Sequence, residues 1–259
     1  MNDTLEQLVA MSKHLGDSAN DYVILGEGNT SGLNTDGTFW VKASGHQLPT
    51  IGSDGFVRVS LTRALAILDE DGLDDAGIKA RLMEARVDPE TGRWPSPNNT
   101  TRPSTETVFH ALCLSLDDAN FVGHTHATAV NMLTCSNAFE EAFSGRLFPD
   151  EIVMCGIAPV LVPYIDPGIP LAREIRSRIN AYIDTYAELP KVILMQNHGL
   201  VALGRTAEQV ENITAMMVKT ARVILGAYAV GGPHFLTPEN VDRIHTRPDE
   251  AYRRKLLGE

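Results

Sequence analysis

Two short apolar runs that end in histidines constrain this chain more than any other feature. Phe121-Val122 leads into Gly123-His124-Thr125-His126, and Val192 to Met195 leads into Gln196-Asn197-His198-Gly199. If the first run is a strand, side chains two apart share a face, so His124 and His126 converge while Thr125 looks away. Two imidazoles held like that begin a metal clamp. Zinc needs at least one further protein ligand, and His198, at the end of the second apolar run, is the best candidate. Each histidine taken alone reads as an ordinary buried or surface side chain. The pair on one face, together with a third at a strand end before glycine, makes the metal reading competitive.

The remaining pattern is a mixture of short strands and amphipathic helices. A helix is expected over Thr4 to Leu15, with Asp3 as its cap and Gly16 as its end. Tyr22 to Leu25 reads as a strand, and Gly26 to Gly32 as a tight loop that exposes its backbone. That loop is not a dinucleotide fingerprint, because its third glycine is one place late for G-x-G-x-x-G and no long helical pattern follows. A hairpin turn at Asn34 to Gly37 precedes strands Thr38 to Lys42 and Gly55 to Val59, then helices Leu61 to Leu68 and Asp75 to Ala85. From Asp88 to Pro103 the chain is a loop with four prolines.

Ser104 is the expected N-cap of a helix from Thr105 to Leu116, and an anion would be favoured at such a helix start. A plain cap is the alternative. Further on, Thr128 to Leu133 opens a helix, Ile152 to Cys155 and Val160 to Pro163 are β segments, and Leu171 to Tyr186 is a long helix. Strands Lys191 to Met195 and Val201 to Leu203 flank His198. Thr206 to Gln209 has the form of a capping box for a helix reaching about Ala229, and helices begun by Thr237-Pro238 and by Asp249 follow.

The 259 residues, 43% of them hydrophobic, suffice for a sizeable core, and no linker divides them. A single domain over 1–259 is expected, with a helical tail over about 234–259. The net charge of -11 argues against nucleic acid and anionic membrane as partners. Cys113, Cys135 and Cys155 lack C-x-x-C spacing and sit among apolar residues, so buried thiols are expected. With neither a secretory leader nor a long apolar span in evidence, a cytoplasmic location is the expectation.

Five motifs now stand in order: Gly28-Asn29-Thr30-Ser31-Gly32, Lys42-Ala43-Ser44-Gly45, Pro103-Ser104-Thr105-Glu106, His124-Thr125-His126 and Asn197-His198-Gly199. Together they resemble the class II aldolase/adducin family, in its order and close to its spacing. The differences are a longer loop before Pro103 and extra residues between the second and third histidines. The resemblance runs from about Leu5 to Tyr228. Each motif is weak alone, but five in order are specific. The family holds fuculose- and rhamnulose-phosphate aldolases, ribulose-phosphate 4-epimerases, methylthioribulose-phosphate dehydratases, some decarboxylases and the non-enzymatic adducin head domain.

The resemblance implies an α/β fold with a mostly antiparallel central sheet flanked by helices. It implies Zn2+, or another divalent ion such as Mn2+ or Co2+, on His124, His126 and His198. Glu106 is implied as a resting fourth ligand that becomes the catalytic base. A substrate phosphate is implied on Asn29, Ser44, Gly45, Ser104 and Thr105, with Lys42 adding positive charge. Lys42 could instead be a solvated side chain on an edge strand.

The chemistry so implied is cleavage of a ketose 1-phosphate, possibly of a deoxy sugar, to dihydroxyacetone phosphate and an aldehyde. The metal, as a Lewis acid, stabilises the enediolate. A proton must also be handled at the oxygen that becomes the aldehyde. In family aldolases a tyrosine often does this, and Tyr164, Tyr228 and Tyr252 are the candidates here. Decarboxylation of a keto acid phosphate, epimerisation, dehydration, a metal-hydrolase reaction and an adducin-like binding role are the alternatives. A homotetramer is the family's common assembly.

Overall fold

The computed structural model describes residues 4–93 and 101–249. In chain order the elements are α1 (Thr4–Leu15), β1 (Asn29–Leu33), β2 (Thr38–Lys42), β3 (Phe56–Ser60), α2 (Leu61–Ala66) and α3 (Asp75–Glu84). Next come α4 (Thr107–Leu114), β4 (Phe121–Thr125), α5 (Thr128–Thr134), α6 (Phe139–Ala142), α7 (Pro149–Cys155) and β5 (Val160–Val162). The chain continues through α8 (Ile169–Tyr186), β6 (Val192–Met195), β7 (Gly199–Gly204), α9 (Ala207–Tyr228) and α10 (Pro238–Thr246). The strands form one sheet in the order β3-β2-β1-β4-β7-β6-β5. Every pairing is antiparallel except β5 with β6.

Both faces of this sheet are covered, which is why its central strands read as unbroken apolar runs rather than alternating ones. Phe121, Val192, Leu194, Leu200 and Ala202 pack with α1, α5, α7 and α9 on one face. Val122, Ile193, Met195, Val201 and Leu203 pack with α2, α3, α4 and α8 on the other. The longest helix, α9, holds the first face with Val210, Ile213, Met217, Ala221 and Ile224, all essentially buried at three- and four-residue spacing. Each large apolar side chain buried this way contributes about 1.5–3 kcal/mol. Thr206 caps that helix by accepting from Gln209 N–H, while the Gln209 side chain accepts from Arg205 N–H at 2.7 Å, one residue beyond the N-cap N–H that a true capping box would engage.

Several local expectations are corrected. Tyr22 to Leu25 is not a strand, because Asp21 and Leu25 take φ of 57° and 52° and turn the chain instead. The glycine-rich loop is shorter than expected: β1 begins at Asn29, and its small residues let α1 lie close, as the 2.6 Å Ser12 Oγ to Thr30 Oγ1 bond shows. Lys42 is not on an edge strand, since β2 lies between β1 and β3. Ile152 to Cys155 is helical within α7, where Pro149 sits in the first turn and buried Arg146 donates to Glu151 and to the helix-end carbonyls. Tertiary contact there overrides the β-branched Ile152-Val153 pair.

The helix expected from Thr105 begins at Thr107, with Glu106 at the cap position and no side-chain cap. Ser104 Oγ accepts from Glu106 N–H at 3.3 Å, so it shapes the turn before the helix rather than capping it. The helix expected over Leu61 to Leu68 tightens after Ala66 into a single 3-10 turn. Cys113 and Cys155 are buried, with burial pushing both thiols up to about 12, but Cys135 is exposed. The Asp3 cap and most of the helix expected from Asp249 to Leu256 lie outside the described residues.

Candidate active site and metal centre

Three neighbouring strands bring their ends to one edge of the sheet: the start of β1, the end of β4 and the start of β7. In register, Asn29 stands opposite His124, and His124 opposite Val201. His126 lies one residue past β4, where its N–H donates to Tyr22 O at 3.0 Å. His198 ends the tight turn between β6 and β7, in which Asn197 has φ of 54°. Two glycines make the close approach feasible. A Cβ at Gly199 would fall 2.5 Å from Thr125 O and 2.9 Å from His126 Cδ2, and one at Gly28, whose φ is +69°, would fall 2.6 Å from His124 O.

The three histidines meet as their sequence spacing predicts. Their ring centroids are 4.8, 5.0 and 5.1 Å apart, with the planes steeply inclined to one another. One ligating atom from each lies within 4.8 Å of the others. His124 Nδ1–H donates to Leu200 O at 3.0 Å, which leaves Nε2 as a lone pair, and Nε2 of His126 is 3.0 Å from it. Two such lone pairs at that distance repel unless a proton or a cation lies between them. Burial holds both rings down to about 4, so at neutral pH each is neutral and can offer one lone pair. The donor set therefore fits a divalent cation of the zinc, cobalt or manganese type.

Glu106 faces the same point from the start of α4. Its Oε1 is 3.2 Å from His198 Nε2 and its Oε2 is 3.7 Å from His124 Nε2, and it also accepts from the Asn29 amide. Burial opposes its ionisation, but at the low pH where it titrates the charge then carried by His124, the hydrogen bond and charge of His198 and the Asn29 bond outweigh that and hold the carboxyl well below the usual carboxylate range. At neutral pH Glu106 is an anion.

Beside this cluster the Lys42-to-Gly45 segment runs along the turn that carries Ser104 and Thr105. Ala43 bridges Pro103, and Ser44 N–H donates to Arg102 O at 2.9 Å. Gly45 has φ of +89°, and Ser44, Gly45 and Thr105 face solvent while Ser104 is half-buried. Lys42 is buried at the end of β2; burial lowers its pKa, and the charge of Glu106 works in the opposite direction. The described residues bring His124, His126, His198, Glu106 and Asn29 together, with Lys42 near enough to feel the charge of Glu106, while Ser44, Gly45, Ser104 and Thr105 lie along the neighbouring turn; the Asn29 side chain is engaged by Glu106 and His110.

Sequence reasoning missed His110, a fully buried ring that joins Ser31 to Asn29, and Glu27, whose Oε1 is 3.8 Å from His126 Nδ1. His110 follows Glu106 by one helical turn, a spacing that places both on one face of α4. Glu27 carried no signal, since it stood inside a presumed loop. Glu27, Thr128, Asn131 and the half-exposed Met132 line a cleft that opens beside His126. Tyr164 is half-exposed; its N–H donates to the Gln196 side chain, and its hydroxyl donates to Asp166 at 3.0 Å. Tyr228 is exposed and bonded to Glu141, and Tyr252 lies outside the described residues.

Comparison with known proteins places this geometry among relatives. Residues 6–225 match the family model for the class II aldolase and adducin N-terminal domain. An uncharacterized oxidoreductase of Bacillus subtilis (strain 168), YuxG, is 28% identical over 84% of this chain, but that alignment spans only 29% of YuxG. A methylthioribulose-1-phosphate dehydratase of Microcystis aeruginosa is 27% identical over 78% of the chain and 86% of the relative. A 3-oxo-tetronate 4-phosphate decarboxylase of Escherichia coli (strain K12) is 30% identical over 56% of the chain and 62% of the relative. The fold superposes on an L-fuculose 1-phosphate aldolase with a TM-score of 0.65, at 16% identity, over 98% of this chain and 97% of that one. No helix among the described residues is long and apolar enough to cross a membrane.

Proposed function

The chain belongs to the class II aldolase and adducin family, and from that premise we propose that it is a metal-dependent lyase of a phosphorylated ketose, cleaving a ketose 1-phosphate to dihydroxyacetone phosphate and an aldehyde. The observation that carries this reading is Glu106, an ionised carboxylate 3.2 Å from His198 at the point where three imidazoles converge. A divalent cation held by His124, His126 and His198 would supply Lewis acidity to the substrate's carbonyl oxygen. Glu106 is then within reach of the carbon next to that carbonyl and, as an anion, takes or returns its proton. Lys42, with the backbone and hydroxyls of Ser44, Gly45, Ser104 and Thr105, binds the phosphate; Asn29 completes the pocket on the Glu106 side.

The test is a panel of pentulose and hexulose 1-phosphates given to the metal-loaded protein, with dihydroxyacetone phosphate measured enzymatically. Release that disappears in Glu106→Gln while the metal stays bound supports the reading; no release from any member of the panel contradicts it. A second reading keeps the same residues and changes the bond that breaks. It is favoured by the relatives, one a dehydratase and one a decarboxylase of phosphorylated substrates. Loss of water or of carbon dioxide, followed by mass, separates it from aldol cleavage. We place the protein in the cytoplasm as a homotetramer, which size-exclusion chromatography with light scattering checks.

A further inference from the structure

Behind Glu106 lies a line of side chains in which His110 and Ser31 serve neither the metal reading nor the phosphate reading. His110 on α4 is fully buried, stacked on Phe109 with centroids 4.7 Å apart. Its Nδ1 is 2.7 Å from Ser31 Oγ, its Nε2 meets Asn29 Oδ1, and the Asn29 amide nitrogen reaches Glu106 Oε2. Ser31 and Asn29 are two apart on β1 and so present both partners from one face.

The donors and acceptors allow this line only one direction. Ionised Glu106 can only accept, so Asn29 must turn its NH2 toward the carboxylate and its carbonyl oxygen toward His110. A carbonyl oxygen also only accepts, so His110 must carry its proton on Nε2. Its Nδ1 then accepts from the Ser31 hydroxyl. A neutral imidazole has one proton for its two contacts, and with Asn29 Oδ1 facing Nε2 and a hydroxyl that can donate facing Nδ1, it has to be on Nε2. The reverse order would set the Asn29 oxygen against the Glu106 carboxylate, two acceptors facing each other away from water.

We propose that His110 is a positioning residue: its Nε2–H bond fixes the amide of Asn29 so that an N–H is presented to Glu106, which holds that carboxylate aimed at the three-histidine point. The catalytic consequence rests on the reading of Glu106 given above; the hydrogen-bond polarity does not. Sequence order gives the device its economy, since Glu106 and His110 share a helix face and Asn29 and Ser31 share a strand face.

Two substitutions in the full chain separate positioning from packing. In His110→Gln the side-chain amide nitrogen can stand where Nε2 stands and donate to Asn29. In His110→Asn the shorter amide reaches only the place of Nδ1, keeping Ser31 and losing Asn29. His110→Asn is expected to lower kcat by about ten- to a hundredfold, the loss of one charge-assisted bond's worth of alignment, with KM and bound metal nearly unchanged. His110→Gln is expected to stay within about threefold of the parent. Equal losses in both variants, or none in His110→Asn, would overturn the proposal. A second readout needs neither substrate nor metal turnover: nitrogen-15 NMR of the unsubstituted protein should show His110 neutral and protonated on Nε2. A ring protonated on Nδ1 alone overturns the proposal even if His110→Asn fails to fold or no substrate is found.

Discussion

Two buried carboxylates in this molecule keep very different company. Glu151 is essentially inaccessible, and both of its oxygens are spent: one on Arg146 Nη1 at 2.8 Å, the other on Leu147 N–H at 2.8 Å. Arg146 in turn donates to the carbonyls of Gly156 and Cys155, closing the end of α7. Glu106 faces three imidazoles, two of which hold their Nε2 atoms 3.0 Å apart, close enough to share one proton or to ligate one cation. The first cluster completes itself and is structural. In the second, ring nitrogens and a negative charge are directed at one point, an arrangement that a cation supplied from outside would balance. Both carboxylates are largely shielded from solvent; ring nitrogens converging beside the charge distinguish the second.

The sharpest way to break this comparison is to remove one member from each cluster. Arg146→Met should cost about 3–5 kcal/mol in denaturant unfolding, because Glu151 is left buried and unpaired, while metal content per folded chain is unchanged. Glu106→Gln should do the reverse: turnover falls by about 10²–10⁴-fold, bound metal is retained, and stability changes by about 1 kcal/mol or less. If Arg146→Met stripped the metal, or Glu106→Gln unfolded the chain, the division between structural and functional burial would be lost. The double variant Arg146→Met/Glu151→Leu should recover most of the stability lost in the single one, since an apolar pair replaces an ion pair at little cost.

Lys42 sharpens the comparison from the substrate side. Lys42→Met should raise KM for a phosphorylated substrate by about tenfold or more, with stability equal to or above that of the parent. The sign follows from burial, which lowers the folded pKa and so disfavours the charged form in the folded chain. That penalty is fully present below the folded pKa and fades as pH rises toward 10.5, so the stability advantage of Lys42→Met should shrink over the same range. The smallest effect is expected at Tyr164, whose exposed ring binds Asp166: Tyr164→Phe should leave stability within about 0.5 kcal/mol and turnover near that of the parent.

The sequence made the fold and most of the candidate site legible for a physical reason. Strands buried on both faces must be apolar throughout, so Val192 to Met195 and Val201 to Leu203 announced themselves, and histidines at their ends stood out as interruptions. The same logic placed α1, α8 and α9, whose apolar stripes are long enough to be unambiguous. Short segments fared worse. Ile152 to Cys155 looked like a strand because four residues cannot show a helical period, and the deciding contact, Arg146 on the α7 carbonyls, is tertiary. Asn29 to Gly32 looked like a loop because its small residues lack strand propensity, although three-strand pairing and the close approach of α1 demand them. His110 was passed over because an apolar stripe absorbs a histidine without trace until Ser31 and Asn29 are seen across from it.

The central claim is that the three histidines converge for a cation, and metal counting tests it most directly. The protein is dialysed against trace divalent metal and assayed by plasma mass spectrometry, beside His126→Ala and Arg146→Met. About one divalent ion per chain in the parent and in Arg146→Met, and a large loss in His126→Ala, is the outcome expected of three-ligand coordination. A parent chain that binds no divalent ion, or a His126→Ala variant that binds it as well as the parent, would contradict the account.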